Sequence, residues 1–226
     1  MTDPLDDAHV TYGGPSAAHR LGATTVRKAS VSEQDNNAYL VTAPDGTQLL
    51  VDAADDADRV LALVAEGSGS LAAVVTTHQH WDHHRALPAV VAATGAQVLA
   101  GAEDADALPV PVDRRLADGD TIAVGDLVVE VIALRGHTPG SVALALREGD
   151  DGDRPGRVHL FTGDSLFPGG PGRTTSPESF TSLMDDLEER VFARFGDDAR
   201  VYAGHGDDTT LGAERPHLGR WRARGW

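Results

Sequence analysis

Thr77-His78-Gln79-His80-Trp81-Asp82-His83-His84 puts four histidines and an aspartate into eight residues, directly after the apolar run Ala72 to Val75. For a chain of this composition, three histidines and one aspartate at positions 78, 80, 82 and 83 arise by chance on the order of 0.002 times. Ala72 to Val75 reads as a buried strand, and a loop at a strand end can turn several side chains toward one point. Imidazole and carboxylate together suit Zn²⁺, Fe²⁺ or Mn²⁺. Packing these groups without a cation would leave ring nitrogens and a carboxylate crowded and partly desolvated, which is costly. The segment therefore predicts a metal site at a strand end.

Outward from this segment the same pattern recurs three times. Leu134-Arg135-Gly136-His137-Thr138-Pro139-Gly140-Ser141, Phe161-Thr162-Gly163-Asp164-Ser165 and Tyr202-Ala203-Gly204-His205-Gly206 each follow a strand-like run. In each, glycine immediately precedes the candidate donor, as expected where backbone turns sharply or passes close to a cluster. Strands are expected at Thr24 to Val31, Ala38 to Thr42 and Gln48 to Val51, with Pro44-Asp45-Gly46 as a hairpin turn between the last two. Further strands are expected at Gln97 to Leu99, Thr121 to Val124, Leu127 to Leu134, Ser141 to Leu146, Arg157 to Phe161 and Arg200 to Ala203. Helices are expected at Asp55 to Ala65, Arg85 to Ala93 and Pro177 to Phe195, the last capped by Ser176 with Pro177 in its first turn. Asp150 to Asp153 reads as a solvated hairpin loop. Two halves of strands followed by helices predict an α/β protein of two mixed sheets stacked face to face with helices outside. Residues 1–20, Asp-rich and without periodicity, are expected to be a flexible N-terminal arm, and residues 21–226 a single domain.

The combination His-x-His-x-Asp-His, Gly-His-Thr-Pro-Gly-Ser, Thr-Gly-Asp-Ser-Leu-Phe and Gly-His-Gly resembles the metallo-β-lactamase superfamily from about Ala38 to His205. Asp35-Asn36-Asn37-Ala38-Tyr39-Leu40 and Gly169-Gly170-Pro171-Gly172-Arg173 are most similar to its glyoxalase II branch. The resemblance implies an αββα sandwich with two divalent ions, zinc first and iron or manganese as alternatives, between the sheet edges. It implies His78, His80 and His137 on one metal, Asp82, His83 and His205 on the other, and Asp164 bridging. It implies that Asp52 orients a ligand. The implied reaction is attack of a metal-held hydroxide on an activated carbonyl, a glutathione-type thioester first and an ester or lactone second, with Asp82 and Asp164 acting through the metals. A rival with a resembling fold and first motif is a persulfide dioxygenase, which uses one Fe²⁺ and O₂. Arg173, His84 and Trp81 are candidate substrate contacts. Pro171 stands where many relatives have Cys.

Composition removes other classes. The chain has no cysteine, which excludes thiolate metal sites, disulfides and a Cys nucleophile. A formal charge of -16 repels a phosphate backbone, so a small-molecule substrate is expected and nucleic acid is not. No window reaches the apolar length of a membrane helix, and the opening Met1-Thr-Asp-Pro-Leu-Asp-Asp is acidic where a secretory signal is basic, so the expected location is the cytoplasm. Monomer and homodimer are both compatible with these properties. His9, His19, His159 and His217 share no ligand spacing. Lys28 is the only lysine.

Overall fold

The computed structural model describes residues 9–225. Two sheets face each other. The first has strands β1 (Ala17–Leu21), β2 (Thr24–Ser30), β3 (Asn37–Thr42), β4 (Gln48–Val51), β5 (Leu71–Thr76), β6 (Gln97–Gly101) and β7 (Arg114–Leu116), hydrogen-bonded in that order. The second runs β15 (Thr209–Thr210), β14 (Arg200–Ala203), β11 (Val158–Gly163), β10 (Val142–Arg147), β9 (Leu127–Ala133), β8 (Thr121–Val124). A small hairpin, β12 (Leu166–Phe167) with β13 (Gly170–Pro171), stands apart. Helices α1 (Ala57–Glu66) and α2 (Leu87–Thr94) cover the outer face of the first sheet. The outer face of the second is covered by α3 (Pro177–Asp186) and α5 (Leu218–Arg224), with the short α4 (Leu211–Glu214) between them in sequence.

Strand side chains alternate between faces, so a strand covered on both sides must be apolar throughout. β3 shows it: Tyr39 and Val41 join Val131, Leu144, Phe161 and Tyr202 in the layer between the sheets, while Leu40 points outward to Val60, Leu63 and Leu87 of the helices. On the other side, Leu160 and Val201 meet Leu183 and Met184 of α3 and Trp221 of α5. These three apolar layers are the expected αββα sandwich.

Parallel pairing positions the site. β4, β5 and β6 are mutually parallel, and so are β11 and β14, so each group brings its carboxyl ends to one edge. Backbone bonds then join the two sheets there: Asn37 N–H to Gly204 O at 2.8 Å, and Val142 N–H to Thr77 O at 2.9 Å.

Two boundaries differ from expectation. Ala17–Arg20, expected within the arm, belong to β1 and pair with β2 from Ala17 opposite Lys28 onward. Pairing makes this strand, since only Leu21 among its bulky side chains is deeply buried. Residues 1–8 of the expected arm lie outside the described residues. The last long helix is α-helical only to Asp186 and continues over Leu187–Phe192 with a wider turn. Its cap is as expected, Ser176 Oγ accepting from Ser179 N–H at 3.1 Å.

One charged group sits at the core's edge. Lys28 is fully buried, donating to Asp208 Oδ1 at 2.7 Å and to Gly206 O at 2.6 Å. Arg200 Nη2 reaches the other oxygen of Asp208 at 2.8 Å. Burial pushes the Lys28 ammonium down and the Asp208 carboxyl up, and each partner resists the shift of the other. This pair clamps the segment just after His205. Asp208→Ala would leave a buried ammonium without its counter-ion, and urea unfolding should show a loss of about 3–5 kcal/mol; an unchanged midpoint would refute the clamp.

Candidate metal centre

Three strand ends and one loop deliver the donors. His78, His80, Asp82 and His83 follow β5, partly on the single helical turn Trp81–His83; His137 lies between β9 and β10; Asp164 follows β11 and His205 follows β14. Their donor atoms form three trios, each within 4.8 Å: His78, His80 and His137; Asp82, His83 and His205; and His78, His83 and Asp164. The third trio takes one member from each of the other two. All seven expected ligands are thus brought together.

The outer ring nitrogens are already engaged, which aims the inner ones. His83 Nδ1 meets Asp52 Oδ2 at 2.9 Å, His137 Nδ1 donates to Arg173 O at 2.6 Å, and His205 Nδ1 donates to Gln34 O at 3.0 Å. A neutral ring with its proton on Nδ1 presents the Nε2 lone pair inward. Asp52 also accepts from Thr77 N–H at 2.7 Å and Thr77 Oγ1 at 2.8 Å. Those bonds hold it at a left-handed φ of 60°, a conformation that costs a non-glycine residue on the order of 1 kcal/mol or more. Asp52, expected to orient a ligand, thus lies against the ring of His83.

The donors are packed too closely to satisfy one another. His83 Nε2 and His205 Nε2 lie 3.2 Å apart, and His78 Nε2 and His80 Nδ1 3.1 Å apart. His137 Nε2 and Asp164 Oδ1 are buried with no hydrogen-bond partner among the described residues. Burial opposes charge on His83, yet Asp52 and Asp164 outweigh it and push the ring up to about 10. Burial likewise opposes charge on His205, and Asp164 and Asp82 push it up to about 10. The His205 hydrogen bond holds Asp82 well below the carboxylate range, and Asp164 is held lower still, against its burial, by His205 and His83. Burial and the charge of His83 push His78 well down. The two carboxylates therefore demand positive charge at this point. Divalent cations would supply it and release the ring protons, so the donor set fits metal.

Three positioning groups were not singled out from sequence. Asn36 Nδ2 donates to Asp82 O and Asp82 Oδ2, both at 3.0 Å, and its only signal is its place in the Asp35-Asn36-Asn37 segment. Buried Asp104 accepts from Gln79 N–H at 2.9 Å, Gly140 N–H at 2.8 Å and Thr138 Oγ1 at 2.5 Å, tying the His80 loop to the His137 loop. Thr77 links Asp52 to His78, its Oγ1 lying 3.1 Å from His78 Nδ1. The glycine expectation divides. A Cβ on Gly204 would sit 2.1 Å from Asp164 Oδ1, so the close approach is to the cluster itself, whereas at Gly136 it would strike Ser179 O of α3.

The substrate candidates separate as well. Trp81 is 54% exposed beside the donors, with the Arg85 guanidinium 3.9 Å from its ring centroid. Arg173 lines a cavity of about 460 Å³ with Pro171, Phe180 and Arg224, and its backbone carbonyl holds His137. His84 is buried, and its Nε2 donates to Gln79 O at 3.0 Å, so it braces the ligand loop from behind. The structure gives it no open face toward a substrate.

A profile of the metallo-β-lactamase superfamily matches residues 32–205, from the loop before β3 to the last donor. The chain belongs to the metallo-β-lactamase superfamily. Among curated relatives, hydroxyacylglutathione hydrolase from Jannaschia sp. (strain CCS1) is 43% identical over 141 residues, covering 62% of this chain and 51% of its own length. That from Rhodobacter capsulatus is 38% identical over 173 residues, covering 76% and 62%. The chain thus spans about half to three fifths of the length of the curated relatives it matches. Among solved structures, the BLEG-1 B3 metallo-β-lactamase shares the fold at TM-score 0.75 and 22% identity, covering 87% of this chain and 99% of that one. ETHE1 from Myxococcus xanthus aligns at TM-score 0.71 and 30% identity over 88% and 84% of the two chains. TTHA1623, solved in a di-iron-bound form, aligns at 0.68 and 31% over 83% and 96%. No helix among the described residues is long and apolar enough to cross a membrane.

With Asp52 Oδ2 against His83 Nδ1, Asp52→Asn should weaken metal binding about 10–100-fold in chelator competition while circular dichroism stays native. Wild-type metal affinity in that variant would rule out the role.

Proposed function

We propose that this superfamily member is a two-metal hydrolase of activated carbonyls, acting on a small thioester of the hydroxyacylglutathione kind first and on esters or lactones second. The observation that carries the reading is the trio His78, His83 and Asp164, which joins the two outer trios through one carboxylate. In this reading His78, His80 and His137 hold one ion, Asp82, His83 and His205 the other, and Asp164 is shared. Zinc suits five imidazoles and two carboxylates best, with iron or manganese as alternatives; the di-iron form of TTHA1623 supports the iron option. When bound, a pair of divalent ions supplies a water nucleophile at neutral pH and polarises a substrate carbonyl.

The chain's own residues do the positioning. Asn36 keeps Asp82 turned inward through two hydrogen bonds, and the carbonyls of Arg173 and Gln34 hold the rings of His137 and His205. The cavity beside His137 offers Phe180 and Pro171 to an apolar portion of substrate and Arg173 to an anionic group. Trp81, exposed on the ligand turn beside the Arg85 guanidinium, is a further candidate contact. The strongly negative chain suits a small ligand met locally by arginine better than a polyanion.

The persulfide dioxygenase reading, one Fe²⁺ with O₂, is supported less well, because Asp82, His83 and His205 form a complete second trio. Elemental analysis with a panel of thioesters, lactones and esters, run on an oxygen electrode, separates the two. We expect two metals per chain and thioester turnover without oxygen uptake; one iron per chain with stoichiometric oxygen consumption would overturn the proposal. His80→Ala and Asp164→Ala should fold and lose turnover to background. Arg173→Ala should raise KM about tenfold with kcat nearly unchanged, the signature of lost binding common to ground and transition states; a fall in kcat at constant KM would contradict its assignment.

A further inference from the structure

β11 and β14 run in parallel, and each has a second end. His159 and Arg200 are paired across them, each five residues before the donor its strand delivers, Asp164 or His205. At about 3.3 Å per residue they lie roughly 16 Å from the metal centre. A cavity of about 400 Å³ opens at this far end, between β1 and the turn joining β10 to β11.

Its lining runs against the charge of the chain. Arg20, Arg154, Arg157 and Arg200 line it, with only Glu148 and Asp153 as acids, in a protein of net charge -16. Asp208 beneath Arg200 is already shared with Lys28, so it does not cancel the surplus. Glu148 is committed as well: its Oε1 accepts from Arg154 N–H at 2.8 Å, and its Oε2 lies 3.5 Å from the ring of buried His159. Arg157 donates its Nε to Asp198 O at 2.8 Å, but its Nη2 is buried with no hydrogen-bond partner among the described residues. Burial and then the guanidinium of Arg154 push Arg157 down, with Arg200 acting in the same direction, so the three cations sense one another. Keeping like charges together in a partly desolvated cavity is unfavourable unless an anion joins them.

The wall that carries Arg154 is pinned in place. Asp151 Oδ2 accepts from Ala23 N–H at 2.7 Å, fastening the Asp-rich loop to the turn between β1 and β2, and Gly156 N–H bonds Glu148 O at 2.9 Å.

We propose that this cavity is a second binding site, separate from the metal centre, for a compact oxyanion of the phosphate or phosphomonoester class. Arg154 and Arg157 hold the oxygens and Arg200 adds charge from below. Guanidinium forks match tetrahedral oxyanions in a bidentate manner, and the volume of the cleft suits a small metabolite.

The test is calorimetric titration of the metal-loaded protein with inorganic phosphate at fixed ionic strength, with succinate as the carboxylate arm. We expect saturable phosphate binding that survives in His80→Ala, weakens at least tenfold in Arg157→Ala and in Arg154→Ala, and exceeds succinate binding. Thioester hydrolysis should be unchanged in Arg154→Ala, whose exposed side chain makes it the deciding variant if Arg157→Ala fails to fold. No binding, equal binding in the wild type and Arg154→Ala, loss of binding in His80→Ala alone, or succinate bound as tightly as phosphate would each overturn the proposal.

Discussion

Five imidazoles and two carboxylates cannot be held in a few ångströms by their own interactions, because most of the atoms that face each other are acceptors. The rest of the architecture answers that constraint. Parallel pairing brings the ends of β4 and β5 in one sheet and of β11 and β14 in the other to a common edge, and backbone bonds at Asn37 and Val142 lock the sheets together beside it. Behind the donors stand groups whose hydrogen bonds run away from the cluster: Asp52 behind His83, Asp104 between two loops, and Lys28 with Asp208 below His205. The left-handed backbone of Asp52 fits the same account, strain being retained where three surrounding hydrogen bonds offset it.

What could be read from sequence follows from how local each signal is. Strands buried on both faces are continuous apolar runs, and the helices carry one-sided patterns with recognisable caps, so most of the sandwich was visible. His78, His80, Asp82 and His83 were visible because four donors fall on one turn of chain. His137, Asp164 and His205 needed the repeated strand-into-loop context and the family resemblance, since each alone is an ordinary residue. β1 escaped because Ala17–Leu21 owes its extended form to the partner strand and little to its own periodicity. Asp104 escaped for a similar reason. It is one acid among thirty-five, and what distinguishes it is a set of donors from loops 25 to 36 residues away.

The same two strands serve both ends of the second sheet. β11 and β14 carry acceptor-rich chemistry where they end and a guanidinium cluster where they begin, so the acidic character of the chain is not uniform at the scale of a ligand. Net charge describes how the molecule meets a polyanion at long range, and local arrangement decides which small anions it retains.

Lys28 is the sole lysine of the chain, and its amine is fully enclosed against Asp208 and Gly206. Activated acyl groups and other electrophiles react with any neutral amine they reach, and lysine side chains are the usual target. Here there is none on the surface. The arginine-for-lysine bias leaves a charged exterior with no lysine side chain for amine-directed cross-linkers or lysine-modifying enzymes to reach.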